Sequence, residues 1–99
     1  MLTEFETYDR DNPIVWKMFL RYTKEYVKRK QDQGIRKERI KLSAWMVMNR
    51  IRWEAYISTD DRFSEFKINN NYIAHYARKF KERYPKWQHL FETRQLKSA

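Results

Sequence analysis

Only three residues in this 99-residue chain break up a helix: Gly34, its one glycine, and Pro13 and Pro85, its two prolines. Proline fixes φ and removes a backbone donor, while glycine supplies left-handed geometry, so these are the strongest local punctuation a chain carries. The stretches between them are long. A sandwich or barrel needs a turn every ~8–12 residues, and this chain lacks the residues to build them. Asn12-Pro13 reads as a cap followed by a first helical position, and Gly34 as a C-terminal stop. Between them Val15, Phe19, Tyr22 and Tyr26 recur at helical spacing, and Trp16, Leu20, Thr23 and Val27 widen the stripe.

Two further helices follow. Ser43 is placed to cap one that runs to about residue 57, with Ala44, Trp45, Val47, Met48, Ile51 and Ala55 as its core face. Asn69, Asn70 and Asn71 open another, with Tyr72, Ile73, Tyr76, Ala77, Phe80 and Tyr84 inward. Tyr84-Pro85 ends it, because the residue before proline is pushed out of helical geometry. Ile40 and Leu42 alternate with polar residues as a short strand or extended connector, and Phe66 with Ile68 suggests a second short strand. The expected fold is mainly α: one small domain of three long helices and a short C-terminal turn carrying Trp87, Leu90 and Phe91. It comprises an acidic N-terminal arm over 1–12, a basic helical domain over 13–94 and a tail over 95–99.

Charge sets the function class. Lys and Arg number 22 against 13 Asp and Glu, for a net charge of +9, and 17% of residues are aromatic. Disordered basic tails lack aromatics, so this is a folded domain with a basic surface. Glu4, Glu6, Asp9 and Asp11 against Arg10 give residues 1–12 a net −3, which leaves +12 on the rest. The acidic lead is a flexible arm or a strap over part of that surface. Phosphate backbones attract such cations through counterion release, independent of sequence. The candidate phosphate contacts are Lys17, Arg21, Lys24 and Lys28 on the first helix, Arg36, Lys37, Arg39 and Lys41 in the connector, and Arg78 and Lys79 on the third helix. Asn71 and His75, on the outward face of the third helix, are the candidates for base reading, and asparagine fits adenine bidentately. A neighbouring asparagine, Asn69 or Asn70, is expected to cap that helix.

The element order resembles a winged helix-turn-helix, with the third helix entering the major groove. The connector of about 12 residues before it exceeds the ~3–4-residue turn of that motif. Arg50-Ile51-Arg52-Trp53-Glu54 reads as a structural ion pair at i, i+4 beside a tryptophan, with phosphate binding as its alternative. Most aromatics fall on the core stripes, leaving Tyr8, Phe63 and Trp87 for stacking or docking.

Catalysis finds no support. There is no cysteine, and no Ser-His-Asp pattern or Gly-rich phosphate loop is present. Asp60, Asp61, Glu65 and Lys67 loosely resemble a metal-dependent nuclease set, but they crowd one polar connector instead of converging from separate strands. His75 and His89 stand 14 residues apart without metal-ligand companions. No cofactor or metal is expected. No apolar run spans a membrane, and the acidic N-terminus does not read as a signal peptide, so the expected location is the host cytoplasm or nucleoid.

Four blocks in order carry a resemblance: Asn12-Pro13-Ile14-Val15-Trp16 with Phe19; Arg50-Ile51-Arg52-Trp53-Glu54; Lys67-Ile68-Asn69-Asn70-Asn71-Tyr72 with Tyr76-Ala77-Arg78; and Phe91-Glu92-Thr93-Arg94. Across about residues 9 to 94 the chain resembles a family of small proteins encoded by bacteriophages and prophages. The resemblance implies a phage or prophage setting and supplies no catalytic or binding residues. In that setting the expected function is non-enzymatic nucleic-acid binding, DNA ahead of RNA, through phosphate contacts on a basic helical surface, with a homodimer left open. The alternative is a modulator that binds a host or phage protein, or a host defence complex of protein and nucleic acid.

Overall fold

The computed structural model describes residues 2–57 and 68–92, and these are mainly helical. They form four α-helices, α1 (Glu4–Asp11), α2 (Pro13–Asp32), α3 (Ala44–Ile57) and α4 (Asn71–Arg83), with short 3-10 turns at Lys37–Arg39 and Pro85–Trp87. That is one α-helix more than the three long ones read from the sequence. The extra one is α1, within the segment expected to lie outside the domain as an arm. Its signal is a capping box: Thr3 Oγ1 accepts from the Glu6 amide at 3.1 Å, and Glu6 Oε1 accepts from the Thr3 amide at 3.2 Å.

Asn12 joins α1 to α2, but its side chain serves the helix before it. Asn12 Nδ2 donates to the Tyr8 carbonyl at 2.9 Å and makes no cap bond to α2. Pro13 opens α2 without needing that bond, since its missing N–H is one of the unpartnered first-turn donors. Gly34 ends α2 at φ +84°. The Ile35 amide reaches back to the Lys30 carbonyl at 3.1 Å and the Gly34 amide to that of Gln31 at 2.9 Å, the double closure of a Schellman motif.

α2 and α4 run side by side in the same direction: Trp16 stacks on Tyr76 near their starts, and Lys24 sits over Tyr84 at the end of α4. α3 runs the opposite way, with Arg50 over Tyr22 and Met46 sharing a groove with Tyr26 and Arg29. α1 lies across the start of α4, with Phe5 against Tyr72, His75 and Tyr76. The core collects Val15 and Phe19 from α2, Val47, Met48 and Ile51 from α3, and Ile73, Tyr76, Ala77 and Phe80 from α4. Phe91, fully covered, closes it between Phe19 at 5.3 Å and Phe80 at 5.1 Å. Each such side chain contributes about 1.5–3 kcal/mol on burial.

Ile40 and Leu42 are buried and Lys41 between them is exposed, as their alternation requires. They make one parallel bridge, Leu42 to Phe91, and no strand forms among the described residues. The expected strand at Phe66 and Ile68 falls partly outside the described residues, and the tail over 95–99 and the set Asp60, Asp61, Glu65 and Lys67 lie outside them. Trp45, expected in the core of α3, is 51% exposed. Asn69 caps α4 by accepting from the Asn71 amide at 2.9 Å. No described helix is long and apolar enough to cross a membrane.

Candidate nucleic-acid interface

Four of the cations of α2 form a single row. Lys17, Arg21, Lys24 and Lys28 are all exposed, and they repeat every three to four residues on the side away from buried Val15, Phe19 and Thr23. None of the four pairs with a carboxylate among the described residues. Lys24 is held by an aromatic face instead, 5.7 Å from the centroid of Tyr84, which ties the row to the last turn of α4.

The connector brings its cations to the end of the bundle where that row finishes. Tyr26 of α2 donates its hydroxyl to the Lys41 carbonyl at 2.9 Å, and Lys30 sits 5.5 Å over the Tyr26 ring. Lys41 Nζ donates to the His89 carbonyl at 3.1 Å. His89 Nε2 lies 2.8 Å from the Lys37 carbonyl oxygen, and the Lys37 ammonium sits 4.8 Å over Trp87. Trp87, a candidate for stacking or docking, therefore serves as a cation seat, stacked on His89. Arg36 and Arg39 are exposed with no partner among the described residues. The last turn of α2, the connector and the 85–91 segment thus form one basic end, to which Arg83 and Lys86 add two more exposed cations.

Those two were not among the sequence candidates. Their signal was visible: cations in the last turn of a helix and just beyond, where the helix dipole favours them. The α2 row and the connector, which the sequence could not orient relative to one another, meet through Tyr26 and Lys41.

The α4 set divides. Asn71, His75 and Arg78 are exposed. Lys79 is largely covered: it pairs with Asp9 of α1 and sits 4.5 Å over the Trp16 ring. His75 stacks on Phe5 at 4.9 Å. α1 therefore acts as a strap over one flank of α4 and withdraws Lys79 from free contact. Tyr8 packs on Tyr72 at 4.9 Å, and its burial pushes its hydroxyl pKa up. Phe63 lies outside the described residues.

In the Arg50–Glu54 block the expected i, i+4 pair forms, but it is part-exposed and the cation lies over Tyr22, not Trp53. Arg50 Nε donates to Glu54 at 3.1 Å, with its guanidinium over Tyr22 at 4.8 Å. Burial raises the Tyr22 pKa, with Glu54 adding to the effect and Arg50 and Arg21 opposing it. Arg52 donates to the Ile68 carbonyl at 2.8 Å, to Asn70 Oδ1 at 2.7 Å and to Asn49 Oδ1 at 3.3 Å. It fastens the entry to α4 onto α3. A groove of about 260 Å³ lies between α2 and α3, walled by Tyr22, Tyr26, Arg29, Met46 and Arg50. No group of three or more His, Cys, Asp or Glu suited to a metal ion occurs among the described residues. Comparison of the chain with protein-family models, curated proteins and solved structures returns no match.

Proposed function

We propose that this protein binds nucleic acid, without catalysing a reaction, through phosphate contacts at the basic end of the bundle. The observation that carries the reading is the meeting of three segments there with their cations uncompensated. Lys24, Lys28, Lys30, Arg36, Lys37 and Arg39 make no ion pair with a described carboxylate, and three of them rest on aromatic rings. A cation held over a ring keeps its charge available to a phosphate, whereas one paired to a carboxylate does not. The acids of α1 lie at the opposite end, beside the starts of α2 and α4. The phage or prophage setting and a cytoplasmic location belong to this same proposal. A winged helix-turn-helix docking would place α4 in the major groove through Asn71 and Arg78. The pairing of α1 with Lys79 narrows that face, which favours phosphate contact at the basic end.

The test is a salt titration of binding to a labelled random duplex and to a single strand. Each phosphate contact adds about 0.9 to the log–log salt slope on duplex DNA. Reversing Arg36 and Arg39 to Glu is expected to remove about 1.8 from that slope while leaving the fold intact, because neither side chain has a partner to lose. Lys37 and Lys41 are poorer probes, since their reversal would also strip the Trp87 and His89 contacts. Negligible binding at physiological salt, or an unchanged slope in the double variant, refutes the reading.

A further inference from the structure

α3 carries apolar side chains on both sides. Val47, Met48 and Ile51 fill the core, while Trp45, Met46, Trp53, Tyr56 and Ile57 are exposed by 51, 63, 62, 79 and 57%. At about 100° per residue, these five and Asn49 share the sector opposite the core. A helix apolar all round belongs inside a packed structure, and monomers rarely expose so continuous a patch. The flanking charges are engaged: Arg50 pairs with Glu54, and Arg52 bonds Ile68, Asn70 and Asn49. Aromatics and methionine with no free charge are the composition of an interface centre.

We propose that this face seats α3 of a second copy of the chain, in an antiparallel two-fold pair whose axis passes over Asn49. The face is self-complementary about that residue: Trp45 stands four residues before it and Trp53 four after. A two-fold axis there sets each Trp45 against a Trp53, which is what an isologous contact requires. Asparagine is both donor and acceptor, so Asn49 can bond its own symmetry mate. The area suffices. An aromatic side chain covers about 150–250 Å² on full burial. Three of them, exposed by half or more, together with Met46 and Ile57 give on the order of 600 Å² per chain, within the range of specific interfaces when doubled. Unpaired bases stacking on these rings would need cations alongside to track the backbone, and the adjacent arginines are already committed. The α2 cation row points elsewhere and stays free in the dimer.

Sedimentation velocity on the full chain, without nucleic acid and from micromolar to hundreds of micromolar, is expected to show the mass rising from 12.5 kDa towards twice that value. Trp53→Glu should stay folded by circular dichroism, because the ring is exposed, and weaken association about 30-fold or more. The chain has no cysteine, so Asn49→Cys reports on one position alone. Helix axes ~8–10 Å apart with Cα atoms ~2.3 Å from each axis leave facing Cα atoms roughly 3–5 Å apart, overlapping the range of a disulfide. Mild oxidation should cross-link Asn49→Cys at least tenfold faster than Lys17→Cys on the far side of α2. A mass of 12.5 kDa throughout, cross-linking no faster than the Lys17→Cys control, or an undiminished dimer in Trp53→Glu each overturns the proposal. None of these readouts depends on nucleic-acid binding.

Discussion

Neutralising Asp9 tests whether α1 is an integral part of the fold. Its carboxylate holds Lys79, seventy residues away, and the two side chains are only 16% and 23% exposed. The Lys79 ammonium also sits over Trp16, so α1, α2 and α4 meet at one cation. An exposed ion pair is worth about 0–1 kcal/mol. Breaking a fully buried one by removing a partner costs about 3–5 kcal/mol. This pair lies between those limits, so Asp9→Asn is expected to cost about 2 kcal/mol, much of it from leaving Lys79 half-covered and unpaired. Lys79→Met keeps most of the stem against Trp16 and removes the charge, and is expected to cost about 1 kcal/mol.

The double variant separates the pair from its surroundings. Urea unfolding followed by tryptophan fluorescence gives all four corners of the cycle, with an expected coupling of about 1 kcal/mol. In a domain of this size about 1 kcal/mol moves Tm by ~4–8 °C, so Asp9→Asn should melt roughly 8–16 °C lower. Deleting residues 2–11 should cost more than Asp9→Asn, since it also strips Phe5 from Tyr72, His75 and Tyr76. A coupling below about 0.3 kcal/mol, or a deletion without effect on stability, would show that α1 does not fasten the bundle and refute the reasoning.

Other perturbations follow from single side chains. The buried hydroxyls of Thr23 and Tyr76 have no hydrogen-bond partner among the described residues, so Thr23→Val and Tyr76→Phe should each stabilise by about 1 kcal/mol in urea unfolding; destabilisation by either would show that its hydroxyl has a partner. Burial raises the Tyr8, Tyr22 and Tyr76 pKa values above the ordinary 10.0, most strongly for Tyr76. The folded state then binds more protons than the unfolded state at high pH, so stability should hold below about pH 10 and fall as pH rises above it. Tyr76→Phe should blunt that fall, read as the urea midpoint against pH. Arg52→Ala removes charge-assisted bonds to Ile68 and Asn70 and should cost about 1.5–3 kcal/mol. Trp45→Ala, tested at concentrations where the chain is a monomer, should cost under about 1 kcal/mol, against ~3–5 for Phe19→Ala in the core.

Helix punctuation was the most legible layer of the sequence. Pro13, Gly34 and Tyr84-Pro85 mark helix boundaries in the structure, because each acts through its own backbone and needs no tertiary partner. α1 was legible too. Thr3-Glu4-Phe5-Glu6 is a capping-box pattern, but the acids around it left a flexible arm and a strap equally open, and only Phe5 and Tyr8 hint at a packed face. Its anchor, Asp9 on Lys79, joins residues seventy positions apart, and no local pattern announces such a contact. The basic residues were legible as charges and not as a site. Whether Lys37 or Lys79 is available depends on what lies over it, Trp87 in one case and α1 in the other.

The misreading of Trp45 has the most general cause. Periodicity identifies a buried face by contrast with a polar one, and α3 offers almost no contrast. Trp45 and Val47 look alike as apolar positions, although one faces solvent and the other the core. The proposed two-fold pairing would account for the second apolar side of α3. Among the described residues, the rings exposed by half or more lie apart from the basic end, whose cations rest on more covered rings. The uncompensated cations among the described residues collect on the α2 row and at the end reached by the connector, whereas the exposed large rings collect on α3. Under the two proposals, the cations serve a phosphate backbone and the exposed rings of α3 serve a protein face. Arg36→Glu with Arg39→Glu should therefore change the salt slope and leave the mass alone, and Trp53→Glu the reverse.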